Sequence, residues 1–356
     1  MRKHLILSDR LFRMVLFTAA VFIIIAGMMA AESFITLLLL AVFISIIGVH
    51  PVHWLDQKKV PHALSVTLVL LGMLLVVFGL SGIIGGSVSS FTSHLDKYES
   101  RLVDIQHSLN LTLHQYGLDL STESLNKVFD PGKILDFTAS TLGQLGNVMS
   151  NATLIIFIVL FILLEMNSIA LKAKIFGTAE SKTMANLSRI ENSIRHYLVI
   201  KTVVSMLTGI LIGVFLWIFG VEYAILWGLI AFLMNYIPNI GSIIAAIPAF
   251  LFAWIQLGFV DAMWVLAIYA VVNLFVGYLV EPRAMGRGMG LSTLVVFLSL
   301  IIWGYILGIV GMFLSVPLTM TLKIILEQNE NTRPLAVALG TDEDALKLME
   351  EQKQQV

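Results

Sequence analysis

Asn235 to Pro248 reads NYIPNIGSIIAAIP, and 69 positions later Gly304 to Pro317 reads GYILGIVGMFLSVP. Tyr236 with Tyr305, Ile237 with Ile306, Ile240 with Ile309 and Pro248 with Pro317 are identical, four of fourteen positions. Isoleucine matches are cheap in so apolar a chain, but Tyr and Pro each occur only eight times. Both stretches break apolar sequence with Gly or Pro, which interrupt helices. Upstream, Thr202 to Leu211 (TVVSMLTGIL) lies over Ala270 to Leu279 (AVVNLFVGYL), repeating Val203, Val204, Gly209 and Leu211. The unit is therefore one apolar helix followed by one broken hairpin. Chance similarity between two Leu/Ile/Val-rich helices is the competing reading.

Hydrophobic residues make up 58% of the 356 and charged residues 13%, with a mean hydropathy of +0.91. A soluble chain is about a quarter charged. The composition places the chain in a membrane, with lipid as its main contact. A net charge of −1 argues against nucleic-acid binding, and the absence of cysteine excludes disulfides, thiolate metal sites and thiol nucleophiles. Spans are expected at Leu11 to Ala31, Phe34 to Val49, Ala63 to Val88, Val148 to Leu164, Leu198 to Phe219 and Ala262 to Val280, about six in all, since a helix needs about 20 residues to cross. Arg2, Lys3, Arg10 and Arg13 precede the first, which reads as a retained anchor because no convincing cleavage site ends it.

Lys and Arg in short loops set orientation. The N-terminus and the His50–Pro61 turn are basic and the Glu32-Ser33 link is acidic. Residues 89–146 carry four basic and seven acidic residues, whereas the connection before Lys201 holds Lys172, Lys174, Lys182, Arg189 and Arg195. Both termini are thus expected in the cytoplasm, with 89–146 outside. Tyr223 to Ile255 must leave and return, turning at Pro238–Gly241. Leu291 to Leu326 must do the same, turning near Gly304, Gly308 and Gly311. One span plus a returning hairpin is one net crossing, so the second unit is inverted. The fold class is all-α: about six spanning helices, two opposed re-entrant helical hairpins forming an inverted repeat, and an extracytoplasmic helical insert. Inverted repeats with broken helices are transporter architecture, and exposed backbone at a broken tip must line a cavity or lie in protein.

The polar residues of these elements are the candidate site. Asn235 and Asn239 flank Pro238, Gly241 and Ser242 follow, and Asn273, Gly277 and Glu281 fall at i, i+4 and i+8 on one helix face. With Gly308 and Gly311 of the second tip, these are the expected solute contacts, against the reading of the asparagines as interhelical glue. Glu281, Arg283 and Arg287 are expected to couple or gate, against a structural Glu281–Arg283 ion pair at the membrane edge. His50 and His53 lack a third ligand, so no metal is expected. Gly286–Gly290 lacks the strand and the Lys-Ser/Thr of a phosphate loop, and Ser292 or Thr293 reads as the cap of the next helix. Gly79, Gly82, Gly85 and Gly86 are expected to let the third helix pack closely. Outside, Phe91, Leu95, Tyr98, Leu102, Ile105 and Leu109 form an apolar stripe that needs a partner surface, and Asp130-Pro131 opens a helix toward the fourth span. Leu187, Ile190, Ile194 and Leu198 form a similar stripe inside. No catalytic constellation or cofactor motif is present.

NYIPNIGSIIAAIP together with EPRAMGRGMGLSTLVVFLSLIIWGYILGIVGMFLSVPL (Glu281 to Leu318), the KKVP turn at Lys58–Pro61 and HYLVIKT at His196–Thr202 resembles the autoinducer-2 exporter family over nearly the whole chain. The resemblance implies an exporter of autoinducer-2 or a similar small polar solute in the bacterial inner membrane, and a homo-oligomer, of which a pentamer is one form. It also implies a runner-up, since other members are similar to Na⁺(Li⁺)/H⁺ antiporters, so H⁺ or Na⁺ joins the expected partners. A non-transporting scaffold or receptor is the third reading. The expected organisation is three membrane helices in 1–88, an external helical segment in 89–147, a fourth span in 148–165, a cytoplasmic connector in 166–200, a transport core in 201–327 and a cytoplasmic tail in 328–356. In that core the solute is expected between the two hairpin turns.

Overall fold

The computed structural model describes residues 2–94, 96–98, 100–101, 103–105, 107, 151–176, 181–238, 240–285, 290–342 and 345–346. Among them every regular element is helical. In order these are α1 (Arg2–Ala30), α2 (Glu32–Gln57), α3 (His62–Ser93), α4 (Ala152–Phe176), α5 (Ser181–Ile218), α6 (Ala224–Met234), α7 (Gly241–Leu257), α8 (Phe259–Leu274), a π turn (Phe275–Val280), α9 (Glu281–Met285), α10 (Thr293–Glu327) and α11 (Arg333–Leu339). Five segments are long and apolar enough to cross a bilayer: Glu32–Gln57, His62–Ser93, Ser188–Ile218, Phe259–Met285 and Thr293–Glu327. Leu75, Phe78, Trp217, Ile225 and Tyr278 stand out from these and neighbouring helices, well exposed. Apolar surface on this scale belongs against lipid, and the protein is a membrane protein.

The chain forms two compact units. One comprises Met1–Ile46, Lys174–Ile194 and Gly290–Val356, the other Ile47–Ala173 and Arg195–Met289. The second unit is built on α5 to α8. Its core gathers Ile212, Leu216, Trp227, Ile230, Phe252 and Val265. Helices α6 and α7 fold back on each other through the 235–240 turn, as the Gly- and Pro-marked stretch predicts. Gly258, at φ 104°, then joins α7 to α8 with no intervening linker, a conformation open to glycine alone. Phe252 supplies a partner surface for Phe91 and Tyr98 of the apolar stripe: the two rings stack at 5.5 Å and both pack on its ring. Leu95, Leu102, Leu109 and Asp130-Pro131 lie outside the described residues, and so does the side chain of Leu187; Ile194 and Leu198 are buried.

Glycine permits a close crossing of α5 and α6. A Cβ on Gly209 would fall 2.6 Å from the Gly228 carbonyl oxygen, and one on Gly228 would fall 2.6 Å from that of Gly209. Backbones in membrane proteins approach this closely only where both helices offer small residues. Gly209→Val is expected to cost about 3 kcal/mol by overpacking, read as earlier unfolding in an SDS titration, with Gly72→Val as the neutral comparison. Gly79, Gly82, Gly85 and Gly86 each have open space within 4 Å among the described residues, so no close partner of this face of α3 lies among them.

In the first unit α1 packs on α10 and α10 on α11. Ser292 caps α10, its Oγ accepting from the Val295 N–H at 3.3 Å. Helix α10 is not a single rod. Leu307 (φ −125°, ψ 16°) and Gly308 (φ 60°, ψ −149°) are non-helical, and the Trp303 indole N–H donates to Thr319 Oγ1 at 3.0 Å. Sixteen residues of straight helix would hold those groups about 24 Å apart, so the chain reverses at Gly308. Residues 293–306 and 309–327 are two antiparallel arms.

Candidate functional site

The first hairpin is tied at both ends. At its feet the Gln256 side chain bridges the two arms, accepting from the Glu222 N–H at 2.8 Å and donating to the Gly220 carbonyl at 2.9 Å. At its tip, Asn235 Nδ2 donates to Ser205 Oγ at 3.0 Å and the Tyr236 hydroxyl donates to Thr202 Oγ1 at 2.7 Å. The N–H groups of Asn235, Tyr236, Ile237, Ile240 and Gly241 are all bonded within the turn. A solute there would meet side chains and carbonyls before the amides of these five residues. Pro238 is half-buried and its carbonyl accepts from Ile240; Ser242 and Asn273 are half-buried and make no side-chain hydrogen bond among the described residues. Asn239 lies outside the described residues.

Next to that tip sits a buried ion pair that adjacency in sequence does not suggest. Lys201 Nζ and Glu281 Oε1 are 2.6 Å apart, with side-chain exposures of 4% and 22%. Arg283, the alternative partner that the sequence offers Glu281, is exposed and donates instead to the Leu279 carbonyl at 3.0 Å. Arg287 lies outside the described residues. Lys201 looks like the last of a run of connector cations, yet α5 carries it inward; Lys323 is likewise buried in the first unit, donating to the Gly290 carbonyl. One turn before Lys201 on α5, the buried Tyr197 hydroxyl has no hydrogen-bond partner among the described residues. A buried unpaired hydroxyl costs about 1–3 kcal/mol, so polar ligand atoms are welcome at this end.

A π turn lies within the stretch that carries Asn273, Gly277 and Glu281. The Glu281 N–H reaches back five residues to the Val276 carbonyl, and a π turn sets the residues after it back by about one position, about 100° of rotation. Gly277 faces open space among the described residues, and Glu281 meets Lys201.

The two tips are made alike. A Cβ on Gly241 would fall 1.8 Å from the Met234 carbonyl oxygen, and one on Gly311 would fall 2.0 Å from that of Trp303. Each glycine opens the returning arm against the carbonyl that ends the outgoing one. The second turn holds one more residue, so Gly241 corresponds to Gly311 and the ungapped register of the two sequences fails at the tip. Gly308 lies against Glu32: a Cβ there would fall 2.6 Å from its Oε1.

At the feet of the first hairpin, the Tyr98 hydroxyl donates to Glu222 Oε2 and Lys97 Nζ lies 3.2 Å from Glu222 Oε1. Burial pushes the Glu222 carboxyl up, but the Tyr98 and Lys97 contacts outweigh it and hold it below its ordinary value. Burial first, then Glu222, holds the Tyr98 phenol far above its own. A carboxyl depressed on folding stabilises above its free pKa of about 4.3 and loses that contribution as pH falls through the lower folded value. Tyr98→Phe is expected to lower the thermal midpoint at neutral pH and to converge on wild type as pH falls below the Glu222 value, flattening the acid side of a pH series of melts.

Exposed apolar helices, two helical hairpins with polar or glycine-lined tips, and a buried ion pair beside one tip define a polytopic membrane transport protein. The model of the AI-2E family transporter matches residues 12–331, and the chain belongs to that family. It is 38% identical over 328 residues to the AI-2 transport protein TqsA of Escherichia coli (strain K12), covering 92% of this chain and 95% of that protein. Two further relatives are each named "Putative transport protein". One, from Haemophilus influenzae, is 40% identical over 340 residues, 94% of this chain and 98% of its own. The other, YhhT of Escherichia coli (strain K12), is 35% identical over 322 residues, 90% and 92% respectively. The family is one of transport proteins, which are not enzymes.

Proposed function

We propose that the protein exports autoinducer-2 or a similar small hydroxylated solute across the bacterial inner membrane by alternating access, with both termini in the cytoplasm. The observation that carries this reading is the tip of the first hairpin, where Asn235 and Tyr236 reach Ser205 and Thr202 beside the buried Lys201–Glu281 pair. Hydroxyl and amide groups of this kind bind a polyol by exchanging one hydrogen bond for another. Asn239, Ser242 and Asn273 join Asn235 as contacts in this proposal, and Glu281 couples transport to protons by leaving and rejoining Lys201. Arg283 and Arg287 gate from the loop side. Gly241, Gly308 and Gly311, with Pro238, shape the tips.

The charges at each end support the proposed topology. In the second unit the hairpin feet meet Lys97 and Arg101 of the acidic 89–146 segment, and the tip lies at the Lys201 end. In the first unit the base of the α10 hairpin meets Arg189 through Glu327 at 2.9 Å, and its tip meets Glu32. With 89–146 and Glu32 outside, the hairpins enter from opposite faces as an inverted repeat, beside about six spans. The relative named for AI-2 transport supports the proposed solute class. The cation–proton antiporter reading is weakened by Lys201, because an ammonium 2.6 Å from Glu281 repels a second cation. We also read the protein as a homo-oligomer.

Flux of labelled autoinducer-2 into inverted proteoliposomes, with and without a proton gradient and with Na⁺ in a parallel arm, tests the reading. Asn235→Ala is expected to lower the rate about tenfold, one lost hydrogen bond's worth of binding, with Tyr305→Phe unchanged. Na⁺ flux without autoinducer-2 flux would establish the antiporter instead, and no flux of either would favour a scaffold.

A further inference from the structure

The feet of the first hairpin enclose a cavity of about 210 Å³ lined by Lys97, Tyr98, Arg101, Glu222, Gln256 and Leu257. Its hydrogen-bonding capacity is unevenly spent. The Gln256 amide is used at both atoms, by the Glu222 N–H and the Gly220 carbonyl. Glu222 accepts from Tyr98 and Lys97, and the buried Tyr98 hydroxyl is taken by Glu222 and Tyr223. Arg101 uses one guanidinium nitrogen, on the Gln256 carbonyl, and Lys97 one contact, on Glu222. A guanidinium has five N–H donors and an ammonium three. Glu222 keeps about half of its acceptor positions, but the lining carries two cations against this one hairpin carboxylate, so the balance of unspent capacity on Lys97 and Arg101 is donor capacity. Lys97 and Arg101 stand four residues apart on one helical stretch, a spacing at which like charges repel, and a single carboxylate, Glu222, faces them from the hairpin.

The geometry points to an oxyanion site of the phosphate class at these feet, with Arg101 supplying a planar fork, Lys97 a point charge, and Gln256 and Tyr98 a rigid floor. An arginine fork matches the paired oxygens of a phosphate, and charge-assisted bonds of this kind are about twice as strong as neutral ones. The ligand bridges the 96–107 stretch to the hairpin and relieves the Lys97–Arg101 repulsion. Its phosphate belongs either to a lipid headgroup in the adjacent leaflet or to a free anion. The site is separate from the Lys201 end and does not depend on which solute is transported.

The full-length protein in phosphatidylcholine nanodiscs is melted by tryptophan fluorescence in inorganic phosphate and in chloride at equal ionic strength. A second series, without phosphate, replaces part of the phosphatidylcholine with phosphatidylglycerol. A ligand held only by the folded state raises the melting midpoint. Wild type is expected to rise in at least one series: with inorganic phosphate if the ligand is a free anion, with phosphatidylglycerol alone if it is a headgroup. Lys97→Gln/Arg101→Gln is expected to weaken the apparent affinity about tenfold or more. Arg101→Lys, which keeps the charge but loses the fork, should fall between, so a fold loosened by loss of the Gln256 contact is told apart from loss of the ligand. A wild-type midpoint unmoved in both series, or an equal shift in the double variant, overturns the site.

Discussion

Glu281→Ala is expected to cost the protein about 3–5 kcal/mol, the price of leaving a buried charge without its partner, and to abolish proton-dependent flux. The cause lies in Lys201, whose ammonium is almost fully buried against the Glu281 carboxylate. Lys201→Met should be milder, because the Glu281 carboxylate keeps partial access to solvent. The double variant Lys201→Met/Glu281→Leu should recover most of the lost stability, since an apolar pair of similar volume replaces a buried ion pair at little cost. It should recover none of the coupling. SDS-driven unfolding measures the first quantity and autoinducer-2 flux across a proton gradient the second. Equal stability of Glu281→Ala and wild type would mean that Lys201 reaches water when Glu281 is gone.

The second large effect is at the tips. Gly241→Ala and Gly311→Ala each place a methyl about 2 Å from a carbonyl oxygen of the opposite arm, so the arms must part. Overpacking of this kind costs about 3 kcal/mol or more when backbone, and not a flexible side chain, stands in the way. Both variants should express as poorly folded protein or fold with little transport, whereas Gly79→Ala, built into open space, should match wild type in the isolated protomer. A normal melt and normal flux for Gly241→Ala would show that the tip can turn without this contact. In that case the likeness of the two tips would be inheritance without mechanical consequence.

Much of the helical layout is legible in the sequence because lipid makes a simple demand. Apolar runs such as Ala63 to Val88 and Leu198 to Phe219 fall in helices, and the Gly- and Pro-rich tips and the Ser292 cap are where local chemistry puts them. Tyr98 and Phe91 are buried on the stripe their spacing draws. Rotation and partner are beyond the reach of periodicity. The π turn hides inside an ordinary apolar run, and its shift of about one residue ahead of Glu281 has no periodic signal. Lys201 sits at the end of a basic connector, and only the packing of α5 separates it from its exposed neighbours. Arg283 lies two residues from Glu281 in sequence, yet the helix points it elsewhere. The glycines of α3 spell a packing face, but no partner for that face lies among the described residues. The pairing of residues 97–101 with Glu222 and Gln256 spans more than a hundred positions, beyond any local signal.

The π turn at Phe275–Val280 has a mechanical corollary. It stores one residue of slack immediately ahead of Glu281, held by a widened ring of hydrogen bonds. Tightening it to α geometry would act as a short screw, rotating the Glu281 end of the helix by about 100° while the displaced residue is taken up by a neighbouring turn. The carboxylate would swing off Lys201 without any rigid-body displacement of α8. Such a motion needs the breaking of only one or two backbone bonds, so the proton exchange proposed at Glu281 can be separate from the movement proposed to carry the solute.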